Sequence, residues 1–77
     1  MLRMEQTTSS AERVSAHVGQ RIKDSGVSIV WLCEHTGIPR STMLRRLSGH
    51  SAFNLNELDR IAVALRLSTA DLLQVAS

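Results

Sequence analysis

Residues 28–49 read SIVWLCEHTGIPRSTMLRRLSG, and this stretch decides how the rest of the chain folds. Ser28 is a suitable N-cap for a helix of about two turns. Gly37 can adopt the positive φ angle that lets two helices meet sharply, and Pro39 suits the first turn of the second helix. Gly49 can close that second helix. The stretch therefore predicts two short helices joined by a tight turn.

Helices are also predicted on both sides of this stretch. Each begins with a capping pair, in which an acidic residue follows a serine or asparagine by three positions: Ser9 with Glu12, Asn54 with Glu57, and Ser68 with Asp71. Apolar residues recur after each cap at helical spacing. Residues 1–8 lack this periodicity and are interpreted as a flexible arm. The chain is therefore predicted to be an all-α, compact five-helix domain over residues 9–77.

Length and composition exclude several classes of protein. A chain of 77 residues forms one small domain and leaves little room for catalytic machinery, so we predict that it is not an enzyme. Cys33 is the single cysteine and has no partner at metal-ligand spacing. We expect no metal, no cofactor and no small-molecule ligand. Because no long apolar segment is present, we expect a cytoplasmic protein without a membrane partner.

The positive charge of the chain is concentrated in the second helix of the central stretch. No acidic residue occurs between Glu34 and Glu57, whereas Arg40, Arg45 and Arg46 all lie in that interval. These arginines contribute +3 to a chain whose net charge is +2, so the remainder carries −1. Such a local basic excess is either a solvated face or a binding surface for an anionic partner.

The sequence TGIPRSTMLRRLSG, preceded by SIVWLCEH and followed by NLNELDRIAVALRLSTADLL, resembles the lambda-repressor-like, Cro-type (Xre) DNA-binding domains of phage and bacterial regulators. The resemblance covers roughly residues 11–74 and includes the pattern of helices 4 and 5. It implies that helices 2 and 3 form a helix-turn-helix. In that family the start of helix 3 lies in the major groove of double-stranded DNA.

The resemblance also implies which side chains contact DNA. Setting Gly37 on the turn glycine of the family places four residues on the groove-facing side of helix 3. The predicted base-contacting residues are Arg40, Ser41, Leu44 and Arg45. Arginine can donate two hydrogen bonds to guanine, serine can bond several bases, and leucine can pack on a thymine methyl. Side chains and helix N-termini can hold the DNA backbone. The phosphate-contacting residues predicted by this resemblance are Ser28, Thr42, Ser48, His50 and Asn54, and Arg46 is added from the position of its side chain on the helix.

Two arginines depart from the family pattern. Arg46 stands where many members have a buried Leu or Ile, which leaves two registers for helix 3. In one, Met43 and Leu47 share the buried position and the stem of Arg46 reaches outward to a phosphate. In the other, the helix is rotated and Leu44 belongs to the core. Arg66 replaces the glycine common after helix 4, which predicts an extended or shifted turn.

These features favour a sequence-specific transcriptional regulator, most like a small Cro-type phage or prophage repressor that occupies an operator. So small a domain makes few base contacts, and we expect a homodimer on a pseudo-palindromic operator with half-sites about one helical turn apart. By analogy with the family, the predicted dimer interface comprises Leu72, Leu73 and Val75. Three alternatives stay open: antitoxin or excision-factor use of the same fold, a fragment of a longer repressor, and a helical protein-binding adaptor without DNA binding.

Overall fold

The structure, a computed structural model, describes residues 9–73, and these residues form α-helices and no strand. The helices are α1 (Ser10–Ser25), α2 (Ile29–Thr36), α3 (Arg40–Leu47), α4 (Leu55–Leu65) and α5 (Thr69–Leu73). The predicted all-α, five-helix architecture is confirmed. None of these helices combines the length and the apolar character needed to cross a lipid bilayer. The predicted arm, residues 1–8, and Val75 of the predicted dimer interface lie outside the described residues.

Short-range hydrogen bonds explain where α1 and α4 begin. Ser9 Oγ accepts from the amide of Glu12 at 3.1 Å, and the Glu12 carboxylate accepts from the amide of Ser9 at 2.9 Å. The same reciprocal pair occurs between Asn54 and Glu57 at the start of α4. These bonds satisfy amides that have no partner within a helix, so they define the first turn. The predicted capping boxes of these two helices are therefore confirmed.

Helix α3 begins one residue later than predicted. Pro39 has φ −59° and ψ 146°, so it is the N-cap and not part of the first helical turn. Its carbonyl accepts from the amide of Met43 at 2.8 Å and forms the first bond of the helix. The extended ψ angle of Pro39 makes Arg40 the first helical residue.

All five helices contribute to one hydrophobic core. Helix α1 packs on α3 and α5, α2 packs on α3 and α4, and α4 packs on α5. The buried apolar side chains are Val18, Ile22, Leu32, Ile38, Met43, Leu58, Ile61, Ala62 and Leu72. The interior is therefore aliphatic, as the low aromatic content indicates. This packing holds α2 and α3 in a fixed arrangement.

The register of α3 follows the first of the two alternatives. Met43 is fully buried and Leu47 is half-buried, whereas Leu44 keeps 46% of its surface exposed. The rotated register is wrong because Met43 occupies the position that faces the core. The side of α3 that carries Arg40 and Arg45 consequently points to solvent.

The turn after α4 is neither extended nor shifted. Arg66 itself is the C-cap, with φ 60° and ψ 42° in the left-handed region. The amide of Leu67 donates to the carbonyl of Ala62 at 2.8 Å, which closes the turn. The prediction for this turn is wrong because an arginine adopts the conformation that glycine usually supplies.

Leu72 belongs to the core and not to the surface. Its side chain is 0% exposed, because α5 turns it towards α1 and α4. Nε2 of His17 also donates to the carbonyl of Asp71 at 2.8 Å and ties α5 to α1. The prediction that Leu72 contributes to a dimer interface is therefore wrong. The adjacent Leu73 is 42% exposed.

Candidate nucleic-acid interface

The turn between α2 and α3 is held by a buried hydroxyl group. Thr36 is only 7% exposed. Its Oγ1 donates to the carbonyl of Leu32 at 2.8 Å and accepts from the amide of Ile38 at 3.2 Å. Gly37 has φ 77°, and its amide donates to the carbonyl of Cys33 at 2.9 Å. The predicted glycine turn is confirmed, and these bonds fix the angle at which α3 leaves α2.

The exposed face of α3 carries the predicted base-contacting side chains. These residues are Arg40, Ser41, Leu44 and Arg45, and all four are exposed. Because residues four apart lie on the same side of a helix, they form one surface. None of their side chains takes part in a hydrogen bond or ion pair with another of residues 9–73. Two guanidinium groups, a hydroxyl and a branched apolar side chain are therefore available to a ligand.

Arg46 faces α4 and not solvent. Its Nε donates to Glu57 Oε1 at 2.9 Å and its Nη2 to Glu57 Oε2 at 3.3 Å, while its Nη1 donates to Ser51 Oγ. The side chains of Arg46 and Glu57 are 22% and 13% exposed. Hydrogen bonds from Arg46 lower the pKa of the Glu57 carboxyl, and the same bonds raise the pKa of the guanidinium. The predicted outward path of the Arg46 side chain is wrong, because Glu57 holds its guanidinium.

Helices α2 and α4 begin at the surface with capped N-termini. Ser28 Oγ accepts from the amide of Trp31 at 3.0 Å, and Asn54 Oδ1 accepts from the amide of Glu57 at 2.7 Å. The other first-turn amides and the positive end of each helix dipole suit an anion. The two ends differ in charge, because α2 has no acid in its first turn whereas α4 carries Glu57 there. Arg46 neutralises that carboxylate at close range.

Ser48 and His50 lie together just after α3. Ser48 Oγ donates to the carbonyl of Arg45 at 3.0 Å and lies 2.7 Å from Nδ1 of His50. Both residues are exposed, whereas Thr42 is half-buried within α3. The structure therefore brings two of the predicted phosphate-contacting residues into one pair and leaves Thr42 less accessible.

Two residues that support the interface were not among the predicted site residues. Thr36 holds the turn, because its hydroxyl accepts a hydrogen bond from the amide of Ile38, two residues later. Threonine often makes such a local bond, so the sequence did contain a signal for this role. Glu57 was predicted only as a cap, and its partner Arg46 lies 11 residues away, beyond any short-range pattern. Within residues 9–73, no group of three or more His, Cys, Asp or Glu side chains is placed to hold a metal ion.

Comparison with known proteins identifies the family. The family model of the Cro/C1-type HTH DNA-binding domain matches residues 17–76, which is most of the chain. Neither the curated proteins nor the solved structures contain a significant match to the chain. The matched segment includes α2, the glycine turn and the exposed arginine-bearing face of α3. The chain therefore belongs to the Cro/C1-type helix-turn-helix DNA-binding domains.

Proposed function

We propose that the protein is a sequence-specific regulator of transcription, most like a small Cro-type phage or prophage repressor, which occupies an operator through α3 in the major groove. The observation that carries this proposal is the exposed, acid-free face of α3, whose two guanidinium groups form no ion pair with another of residues 9–73. Arg45 and Arg40 supply most of the base readout by forked hydrogen bonds to guanine. Ser41 and Leu44 read the neighbouring base edges.

Phosphate contacts come from the ends of the helices that flank α3 in the chain. Ser28 presents the start of α2, Asn54 presents the start of α4, and the pair of Ser48 and His50 lies between them in sequence. Amides and hydroxyls at these positions fix the orientation of the domain without reading sequence. Arg40 and Arg45 bring positive charge close to the DNA backbone and displace counterions there, so DNA affinity should fall as salt rises.

We further propose that two copies bind a pseudo-palindromic operator. Leu55 and Leu73 are 68% and 42% exposed, and they line an apolar groove with Phe53 between α1, the loop before α4 and α5. Apolar side chains grouped at a surface favour a contact that removes them from water. Of the predicted interface residues, this surface leaves out the buried Leu72 and retains Leu73.

Selection of bound duplexes from a random DNA library tests the proposed readout. The wild-type protein should enrich a motif with two inverted half-sites about one helical turn apart. Arg45→Ala should lose its preference at one base position, where a forked contact discriminates by about 1–3 kcal/mol. Arg66→Ala is the control, because it removes the same charge at the C-terminal end of α4, away from the end that Asn54 caps. It should select an unchanged motif.

The alternatives give different results. Weak binding with no enriched motif would refute the repressor proposal and favour a protein-binding adaptor. A single half-site, or sedimentation of a strict monomer both free and on DNA, would refute the dimer. Leu55→Ser should weaken self-association and binding to the full operator, while its affinity for an isolated half-site stays at the wild-type level.

A further inference from the structure

The ion pair between Arg46 and Glu57 joins α3 to α4, two helices that pack chiefly on other helices. Helix α3 packs chiefly on α1 and α2, whereas α4 packs on α2 and α5. Arg46 lies in the last turn of α3 and Glu57 lies in the first turn of α4. The two hydrogen bonds of 2.9 Å and 3.3 Å therefore link the end of α3 directly to the start of α4.

The same carboxylate also organises the segment between these helices. Glu57 Oε1 accepts from the amide of Asn54 at 3.0 Å, in addition to Nε of Arg46. Nη1 of Arg46 donates to Ser51 Oγ, which lies in the middle of that segment. One arginine and one glutamate thus hold the end of α3, the loop and the N-cap of α4 together.

The negative charge of Glu57 would oppose DNA binding if Arg46 did not neutralise it. The proposed function places a DNA phosphate near the start of α4, where a bare carboxylate would repel it. Arg46 cancels that negative charge at 2.9 Å. Three of its nitrogens donate to Glu57 or Ser51, and its side chain is only 22% exposed. The guanidinium is therefore already occupied by protein acceptors.

We infer that Arg46 is a positioning residue and not a DNA contact. Through Glu57 it fixes the start of α4 and the preceding loop relative to the base-reading face of α3, and it removes the repulsion between Glu57 and the DNA backbone. This inference rests on the proposed function, because the groups that it positions are the proposed phosphate contacts. It differs from the phosphate contact that the position of Arg46 on the helix predicted.

A double-mutant cycle on the selected duplex tests the inference. The dissociation constant is measured across a salt series for the wild type, Arg46→Met, Glu57→Gln and the double variant. Met is a good helix former and Gln can keep the capping bond, so both variants should retain the fold, which circular dichroism checks. Arg46→Met should weaken binding about tenfold in the wild-type background and less than about twofold with Gln at position 57, since contacting charged residues couple. Because loss of Arg46 alone unmasks the Glu57 carboxylate, the slopes are compared with Gln at position 57, where removal of Arg46 should leave the salt dependence unchanged.

A direct phosphate contact would produce the opposite pattern. Arg46→Met would then cost the same factor in both backgrounds, and the slope of log affinity against log salt would fall by about 0.9. Arg46→Lys provides a second readout, because lysine can serve a phosphate as a point charge but cannot reproduce the forked bonds to Glu57 and Ser51. Lysine can still neutralise Glu57, so near wild-type affinity of the Lys variant would overturn the positioning role of the forked hydrogen bonds. A wild-type protein that selects no motif would refute the proposed function itself. Failure of the proposed function and failure of the inference on Arg46 are therefore distinguishable.

Discussion

Replacement of Arg66 by glycine should stabilise the protein. Arg66 is the one non-glycine residue with positive φ among residues 9–73, and its φ of 60° and ψ of 42° place Cβ against the following carbonyl. That conformation costs a side-chain-bearing residue about 1–2 kcal/mol. Glycine removes this cost but adds about 0.4–1 kcal/mol of unfolded-chain entropy. The free energy of unfolding should therefore rise by about 0.5–1 kcal/mol, which is about 2–8 °C in Tm for a domain of this size.

Urea and thermal unfolding followed by circular dichroism measure this change. Arg66→Ala is the matched control, because it removes the same exposed side chain and keeps Cβ in the left-handed conformation. It should not be stabilised. Gly26→Ala is the reciprocal test: Gly26 ends α1 with φ 79° and nothing lies within 4 Å of an added Cβ, so the substitution should cost about 1 kcal/mol through backbone conformation alone. Equal stabilisation by Arg66→Gly and Arg66→Ala would refute the strain argument.

Three further predictions concern hydroxyl groups and acid stability. Thr36→Val should lower the free energy of unfolding by about 1–3 kcal/mol, because the buried amide of Ile38 loses its acceptor. Thr36→Ser keeps the hydroxyl and should cost less than half as much in the same denaturation assay. Ser15→Ala should raise that free energy by about 1 kcal/mol, since Ser15 Oγ is buried with no hydrogen-bond partner among residues 9–73 and alanine favours a helix. A loss of stability would show that the hydroxyl is satisfied. Hydrogen bonds from Arg46 lower the pKa of Glu57 in the folded protein. The stability that the ionised carboxylate contributes is therefore fully present above the ordinary pKa of 4.5, and it is lost as pH falls through the lowered pKa. Between about pH 6 and pH 3, Tm should consequently fall less in Glu57→Gln than in the wild type, and identical acid profiles would contradict this account.

The helix starts and the central turn were predictable because their hydrogen bonds join residues that are close in sequence. A cap and its acidic partner are separated by three positions, so Ser9 with Glu12 could be paired without knowledge of the fold. Gly37 could be placed in the turn because its freedom at positive φ is a property of glycine itself. The exposed side of α3 stayed open between two registers until packing placed Met43 in the core and left Leu44 exposed.

Contacts between distant residues could not be predicted in this way. The Arg46 side chain was expected to reach outward, yet its acceptor lies 11 residues away in the next helix. His17 binds the carbonyl of Asp71 across 54 residues. Both bonds exist only because packing brings separate helices together. Candidate DNA contacts on α3 stay predictions, because their partner is a second molecule.

The sequence by itself determined the capped starts of α1, α2 and α4 and concentrated the positive charge in α3, since these properties depend on residue type and short spacing. Only the tertiary structure decided that Leu72 is core while Leu73 is exposed, because the rotation of so short a helix is set by the surface of α1 and α4 on which it packs. It likewise decided that Arg66 adopts a conformation that its side chain disfavours, since the closing bond from Leu67 to Ala62 and the burial of α5 outweigh the local strain.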